Sequence, residues 1–147
     1  MRKLTSSIYQ GDISDLNVLG KQRQDIPITL FVNVGSTNYV PPDRFAIHLP
    51  MRDEADGVND WEKVVSLALL AAEEVARGGL VFVNCDAGIS RSVTFVGMLI
   101  SILDGVPMDD ALMVRLRYAP GIEPLEALWK EAGQALSRAG LGSAPGS

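Results

Sequence analysis

The stretch Asn84-Cys-Asp-Ala-Gly-Ile-Ser-Arg-Ser92 separates two apolar segments with different hydrophobic periods. Before it, Leu80–Asn84 is short, apolar and rich in valine, which predicts a fully buried strand. After it, Val93–Leu103 predicts an apolar helix that Asp104-Gly105 ends. A loop between a buried strand and the next helix lies beyond the carboxyl end of that strand, where α/β proteins bind their ligands.

The rest of the chain also alternates between strand and helix patterns. Asn59 and Glu62 have capping-box spacing, so Asn59 is predicted to cap the helix that Gly78-Gly79 ends. We therefore expect an α/β fold, with a central, mostly parallel sheet of four to five strands flanked by helices. It should form one domain over residues 1–139, followed by a flexible tail at 140–147. The other predicted elements are strands at Ser7–Gln10, Ile28–Val34 and Arg44–Leu49, a helix at Ser14–Lys21, and two helices with Pro107 and Pro124 in their first turns.

Length, charge and cysteine count exclude several classes of protein. The chain has 147 residues, a net charge of −5, one cysteine and one histidine. A single domain of this size buries roughly 70% of its unfolded surface, so it needs no disulfide. One cysteine and one histidine cannot form a cysteine/histidine zinc site, and no cofactor is expected. An acidic chain without a basic cluster or a long apolar run is expected to bind neither nucleic acid nor membrane. Since it also has no secretory signal, we expect a cytoplasmic protein, and we assume that it is a monomer.

The loop has the composition of a phosphate-binding site. A loop that curls over the start of a helix points backbone N–H groups inward, and the helix dipole adds to their positive field. Arg91 can hold two phosphate oxygens with its fork of donors. The residues predicted to bind the phosphate are Asp86, Ala87, Gly88, Ile89, Ser90 and Arg91.

Cys85 is the candidate nucleophile of this loop. The field that binds phosphate also favours the thiolate form of a cysteine. Attack on phosphorus would give a cysteinyl-phosphate intermediate, and the Ser92 hydroxyl could donate toward the sulfur as it leaves. Most lone cysteines are instead small buried hydrophobes. However, a glycine three residues, an arginine six residues and a serine or threonine seven residues after a cysteine coincide by chance for roughly one cysteine in a few thousand at average composition.

Cys85–Ser92 resembles the signature loop of the cysteine-dependent protein phosphatases, and specifically their dual-specificity branch. Ile8–Gly11 resembles the first strand of that branch, and Pro120–Leu125 resembles a segment before its last helix, so the resemblance runs from about Ser7 to Arg138. It implies a protein tyrosine phosphatase-like fold and a metal-free phosphoric monoester hydrolase. The implied substrate is a phosphorylated protein or peptide carrying phosphotyrosine, with phosphoserine and phosphothreonine as further candidates.

The resemblance also implies a general acid in the loop Met51–Asp56. Asp53 falls where the family carries its acid, and it would protonate the leaving alcohol and then activate water. Asp56 is the alternative, because a loop is aligned only loosely from one sequence.

Asn84 departs from the family pattern, which has histidine at this position. An amide can hydrogen-bond but carries no positive charge. This substitution motivates a second hypothesis, a weak or inactive phosphate-binding pseudophosphatase that holds phosphorylated partners. A rhodanese-like sulfur transferase is a third, although Ser92 and the upstream acid count against it.

Overall fold

The computed structural model describes residues 1–21, 26–54, 56–110 and 124–142 of the chain. Within these ranges, helices separate some of the strands, whereas the strands Leu30–Asn33 and Ala46–His48 follow one another without a helix between them. The strands are β1 (Arg2–Lys3), β2 (Ile8–Gly11), β3 (Leu30–Asn33), β4 (Ala46–His48) and β5 (Val81–Asn84). The helices are α1 (Ile13–Lys21), α2 (Trp61–Ala76), α3 (Arg91–Asp104) and α4 (Glu126–Arg138).

The five strands form one sheet in the order β1-β2-β5-β3-β4. β1 is antiparallel to β2, and every other pairing is parallel. In the register of the sheet, Asn84 of β5 lies beside Gly11 of β2 and Asn33 of β3. The predicted α/β class with a mostly parallel central sheet is confirmed, and the carboxyl ends of its three central strands lie level at one edge.

Helices cover both faces of the sheet. One face packs against α2, α3 and α4 in the larger core, while the other packs against α1 in a smaller core. Phe31 and Phe82 lie in the smaller core, where their rings meet edge-to-face at 6.2 Å. β5 is buried along its whole length, which explains its continuous apolar sequence. No helix in the described ranges is long and apolar enough to cross a membrane.

Two predicted helix starts are wrong by one or two positions. Asp60 rather than Asn59 caps α2, with its side chain accepting a hydrogen bond from the Lys63 N–H at 3.3 Å. Both residues are good caps, but Asn59 is engaged in the preceding loop. Pro124 precedes Leu125, the N-cap residue of α4, and so lies outside its first turn.

Three sequence predictions fall wholly or partly on residues outside the described ranges. The helix after Pro107 is described only at residues 108–110. Most of Pro120–Leu125 and the tail beyond residue 142 also lie outside them.

Candidate active site

Cys85 lies at the centre of the sheet edge, directly after β5. It is buried, with 2% of its surface exposed, and its Sγ is 3.1 Å from Ser92 Oγ. Ser92 is the second residue of α3 and is fully buried. The strand and the helix thus hold the thiol and the hydroxyl together, as the sequence predicted from the loop between them.

Among the described residues, the backbone donors of the loop between Cys85 and α3 have no partners. Within the described ranges, none of the N–H groups of residues 86–90 donates a hydrogen bond to another residue. Gly88 allows this path because its φ is +71°, and a Cβ there would lie 2.8 Å from the Gly11 carbonyl carbon. Ala87 and Ile89 are exposed, whereas Gly88 and Ser90 are buried. Unpaired donors before a helix N-terminus provide an anion-binding site.

Arg91 is held by three segments that meet at this edge. Its Nη1 donates to Ser36 Oγ at 2.8 Å and to the Met51 carbonyl at 3.1 Å. Its Nη2 lies 3.0 Å from Asp86 Oδ2 in an ion pair. Nε makes no hydrogen bond to any residue in the described part of the chain, so donors remain for an anion. The guanidinium is therefore fixed at the loop and still able to bind phosphate.

Asp86 is the anionic partner built into the loop. Its Oδ2 accepts from the Ser36 N–H and its Oδ1 from the Thr37 N–H, both at 3.0 Å. Partial burial raises its pKa, but the N–H groups of Thr37 and Ser36 and the Arg91 guanidinium outweigh that effect and lower the pKa to about 2. The Asp86 carboxylate is thus negatively charged at neutral pH beside Arg91, so the predicted contribution of Asp86 to phosphate binding would come from its backbone N–H rather than from its side chain.

Asp53 lies against the cysteine loop. Its Oδ1 accepts a hydrogen bond from Ser90 Oγ at 2.6 Å, and the same hydroxyl oxygen accepts from the Leu125 N–H at 2.9 Å. Ser90 therefore joins the loop Met51–Asp56 (the acid loop), the loop Cys85–Ser92 (the cysteine loop) and the start of α4. Asp53 and Asp56, the alternative acid, are both exposed, and Asp56 has a left-handed backbone with φ 65°. Of the two carboxylates, only Asp53 hydrogen-bonds to the cysteine loop in the described residues.

Asn84 is fully buried beneath the loop. Its Nδ2 donates to Asn33 Oδ1 at 3.1 Å and approaches the Cys85 carbonyl at 3.4 Å. Its Oδ1 has no hydrogen-bond partner among the described residues. Asn33 in turn donates to the Thr37 and Tyr39 carbonyls. The amide pair thus connects the end of β5 to the loop that holds Asp86.

Sequence reasoning missed two residues that build the site. Asn59 holds the acid loop, because its amide accepts from the Arg52 N–H at 2.8 Å and donates to the Arg52 carbonyl at 3.0 Å. Gln10 is fully buried on β2 and reaches both Gly88 and Ser92. A signal for Gln10 was present, because strand alternation places it on the same face as the apolar Ile8.

These contacts bring the Cys85 thiol, the loop up to Arg91 and the Asp53 carboxylate together at one edge of the sheet. The described residues contain no group of three histidine, cysteine, aspartate or glutamate side chains that could hold a metal ion.

Comparison with known proteins identifies the fold. No protein-family model matches the chain, and no curated protein matches it in sequence. Among solved structures, it is similar to human DUSP28, with a TM-score of 0.75 and 18% identity over 95% of this chain and 98% of that one. It is also similar to OH1 from the Orf virus, described as a tyrosine phosphatase with triple substrate specificity, with a TM-score of 0.73 and 19% identity over 94% and 85% of the two chains.

A third similar structure is the human tyrosine phosphatase-like serine/threonine/tyrosine-interacting protein. Its TM-score is 0.70 and its identity 21%, over 95% of this chain and 97% of that one. The chain has the fold of the dual-specificity and tyrosine phosphatases, so the protein tyrosine phosphatase-like fold expected from the sequence is confirmed.

Proposed function

We propose that this protein is a cysteine-dependent phosphatase that hydrolyses phosphate monoesters on proteins or peptides. The observation that carries the proposal is the loop from Cys85 to Arg91, whose backbone N–H groups at 86–90 are unpaired within the described ranges. A buried sulfur, the start of a helix and a fixed guanidinium surround the same loop. Phosphotyrosine is the first substrate to test, followed by phosphoserine and phosphothreonine.

In the first step, the loop N–H groups and Arg91 bind the three non-bridging phosphate oxygens. The Cys85 sulfur attacks phosphorus, an S–P bond forms, and the bond to the leaving oxygen breaks. Asp53, in its acid form, gives its proton to that oxygen, so the product leaves as a neutral alcohol. The hydrogen bond from Ser90 holds Oδ1 of Asp53 and orients the carboxyl group toward the loop.

In the second step, water attacks the phosphorus of the cysteinyl phosphate. Asp53, now a carboxylate, takes a proton from the water, and the S–P bond breaks. Its electron pair returns to Cys85 Sγ, where the Ser92 hydroxyl can donate a hydrogen bond across 3.1 Å. Inorganic phosphate then leaves the loop, and the thiolate is regenerated.

The direct test is hydrolysis of a small aryl phosphate by matched variants. We expect Cys85→Ser to abolish turnover and Arg91→Lys to reduce it severely, because lysine cannot replace the planar fork of donors. Asp53→Asn should lower kcat by about 100-fold and remove the basic limb of the pH–rate profile. Asp56→Asn makes the same change in the same loop and should leave kcat unaltered. If Asp56→Asn alone changes the profile, the acid is Asp56.

A pseudophosphatase is the second candidate, and two observations favour it. Asn84 carries no charge beneath the loop, and Asp86 already occupies a donor of Arg91. Wild-type protein that binds inorganic phosphate but shows no turnover would support this candidate over the enzyme. Thiosulfate–cyanide sulfur transfer that depends on Cys85 would instead favour the rhodanese-like alternative.

A further inference from the structure

Gln10 at the end of β2 is a buried polar residue that contacts the cysteine loop at two points. Its side chain is fully buried, and its Nε2 lies 2.7 Å from the Gly88 carbonyl oxygen and 2.7 Å from Ser92 Oγ. Its Oε1 accepts a hydrogen bond from Arg2 Nη1 at 3.2 Å. One amide thus connects the first strands of the sheet to the loop and to the start of α3.

The neighbours of Gln10 fix the direction of its amide. The Gly88 carbonyl can only accept a hydrogen bond, so it must face the NH2 group of Gln10. The Arg2 guanidinium can only donate, so it must face the amide oxygen. Rotating the amide by 180° would place two acceptors at 2.7 Å and two donors at 3.2 Å. The NH2 group of Gln10 therefore faces Ser92.

The orientation of the Gln10 amide determines where the Ser92 hydroxyl can donate its proton. Because Gln10 Nε2 can only donate, Ser92 Oγ accepts from it and cannot return its own proton along that line. The other close partner of Ser92 Oγ is the sulfur of Cys85, at 3.1 Å. The hydroxyl proton therefore lies between Ser92 Oγ and Cys85 Sγ, where it stabilises a negatively charged sulfur.

Gln10 also holds the loop at its turn, a contact that Asn84 does not make. The Asn84 amide reaches Asn33 and the Cys85 carbonyl, and neither contact involves the turn at Gly88. The Gly88 carbonyl is instead held by Gln10 from the neighbouring strand, with Arg2 donating to the same oxygen at 3.1 Å. The turn at Gly88 is therefore held from β2 and β1 rather than from residue 84.

We propose that Gln10 is a positioning residue for the nucleophile, which orients the Ser92 hydroxyl toward Cys85 and fixes the loop through Gly88. Its effect on turnover rests on the proposed phosphatase function, whereas its effect on the sulfur does not. Gln10 is fully buried and its amide nitrogen donates to Gly88 and Ser92, so it leaves no donor for the phosphate. Through Ser92, Gln10 acts on the charge of the Cys85 sulfur in the resting site. It also acts on the departure of that sulfur from phosphorus in the second step.

Gln10→Glu is the decisive variant, because it keeps the size of the side chain and its contact with Arg2 but removes both N–H donors. A carboxylate accepts from Ser92, so the hydroxyl turns away from the sulfur. Gln10→Met is the second variant, with similar length and no hydrogen bonds. Tyr9→Phe on the same strand is the matched control. Circular dichroism and thermal unfolding confirm that each variant is folded.

The first measurement is the rate of Cys85 alkylation by iodoacetamide against pH, which needs no phosphatase activity and reports the only cysteine of the chain. We expect Gln10→Glu and Gln10→Met to react about tenfold more slowly at pH 7, with the profile moved to higher pH. Tyr9→Phe should match wild type. If folded Gln10→Glu and Gln10→Met both react like wild type, the proposal is wrong.

The second measurement separates positioning from simple packing. With an aryl phosphate, kcat should fall about tenfold in Gln10→Glu while KM stays within about twofold. In a Ser92→Ala background, Gln10→Met should slow alkylation by less than it does in the wild-type background, because the hydroxyl that Gln10 orients is absent and no charge is introduced. A full additive loss in that background would overturn the role through Ser92. A wild-type protein without turnover, whose alkylation still follows this pattern, would refute the phosphatase proposal alone.

Discussion

Asp86→Asn should destabilise the protein and at the same time improve anion binding. In the folded chain, the carboxylate accepts from Ser36, Thr37 and Arg91, each at 3.0 Å. An amide retains one acceptor oxygen and brings an NH2 group toward donors. The two expected effects have opposite signs, because the carboxylate holds the site together while its charge repels the ligand.

The pKa of Asp86 sets the magnitude of the stability effect. Lowering this pKa from 3.8 to about 2 corresponds to about 2 kcal/mol of folded-state stabilisation at neutral pH. Because 31% of the side chain is exposed, solvent screening reduces the expected effect to roughly 1–1.5 kcal/mol. The folded pKa lies below the unfolded value, so this stabilisation is complete above about pH 4 and is lost as the pH falls toward about 2.

Urea unfolding followed by tryptophan fluorescence tests this reasoning. At pH 7, Asp86→Asn should lower the free energy of unfolding by roughly 1–1.5 kcal/mol, and at pH 3 the difference should shrink to about half. Glu54→Gln removes the same charge from an exposed side chain and should change stability by less than about 0.5 kcal/mol. A deficit in Asp86→Asn that is equal at pH 7 and pH 3 would refute the assignment of the effect to the ionised carboxylate.

Binding of inorganic phosphate tests the second expected effect of Asp86→Asn, which is tighter anion binding. Removing the charge that competes for Arg91 should tighten binding by about fivefold, the equivalent of about 1 kcal/mol for a partly exposed pair. Glu54→Gln again controls for the change in net charge. Weaker binding by folded Asp86→Asn would show that the carboxylate is needed to aim the guanidinium, and would contradict a competitive role.

Two further substitutions test how the site is supported. Asn59→Ala removes the hydrogen bonds to Arg52 and should lower kcat by about tenfold with little change in KM. An unchanged kcat would mean that the acid loop holds its position without these hydrogen bonds. Gly88→Ala should abolish phosphate binding and lower the unfolding free energy by more than about 1 kcal/mol, because strain at φ +71° adds to a clash with Gly11. Gly105→Ala is the control, because its φ of +68° carries the same strain while an added Cβ would meet no described atom within 4 Å. An equal loss of stability in the two variants would contradict the clash at Gly88.

The parts of the site that could be predicted from sequence are those that lie close together along the chain. Cys85, Gly88, Arg91 and Ser92 belong to one strand–loop–helix unit, so their spacing alone indicates that they meet. The mostly parallel sheet was predictable for a related reason, because each strand and helix has its own local hydrophobic pattern.

The remaining support of the site depends on contacts between distant segments, which no local pattern encodes. Gln10 is far from Ser92 in sequence and meets it because β2 pairs with β5. The cap of α2 was misassigned for a similar reason. Asn59 and Asp60 are both suitable caps, and the loop at Arg52 takes the first of them, so the tertiary contact decides a local choice.

The pairing of Asp86 with Arg91 offsets the positive charge that collects at this loop. Loop N–H groups that donate to no other described residue, a helix start and a partly buried guanidinium concentrate positive charge at one point, and without a counter-charge they would repel one another. Asp86 supplies that counter-charge from inside the loop, tied by Ser36 and Thr37 so that its carboxylate stays beside the guanidinium. The same carboxylate must then share Arg91 with any incoming phosphate. Stability of the resting site and affinity for phosphate are therefore set against each other by one side chain, which is why we expect Asp86→Asn to move them in opposite directions.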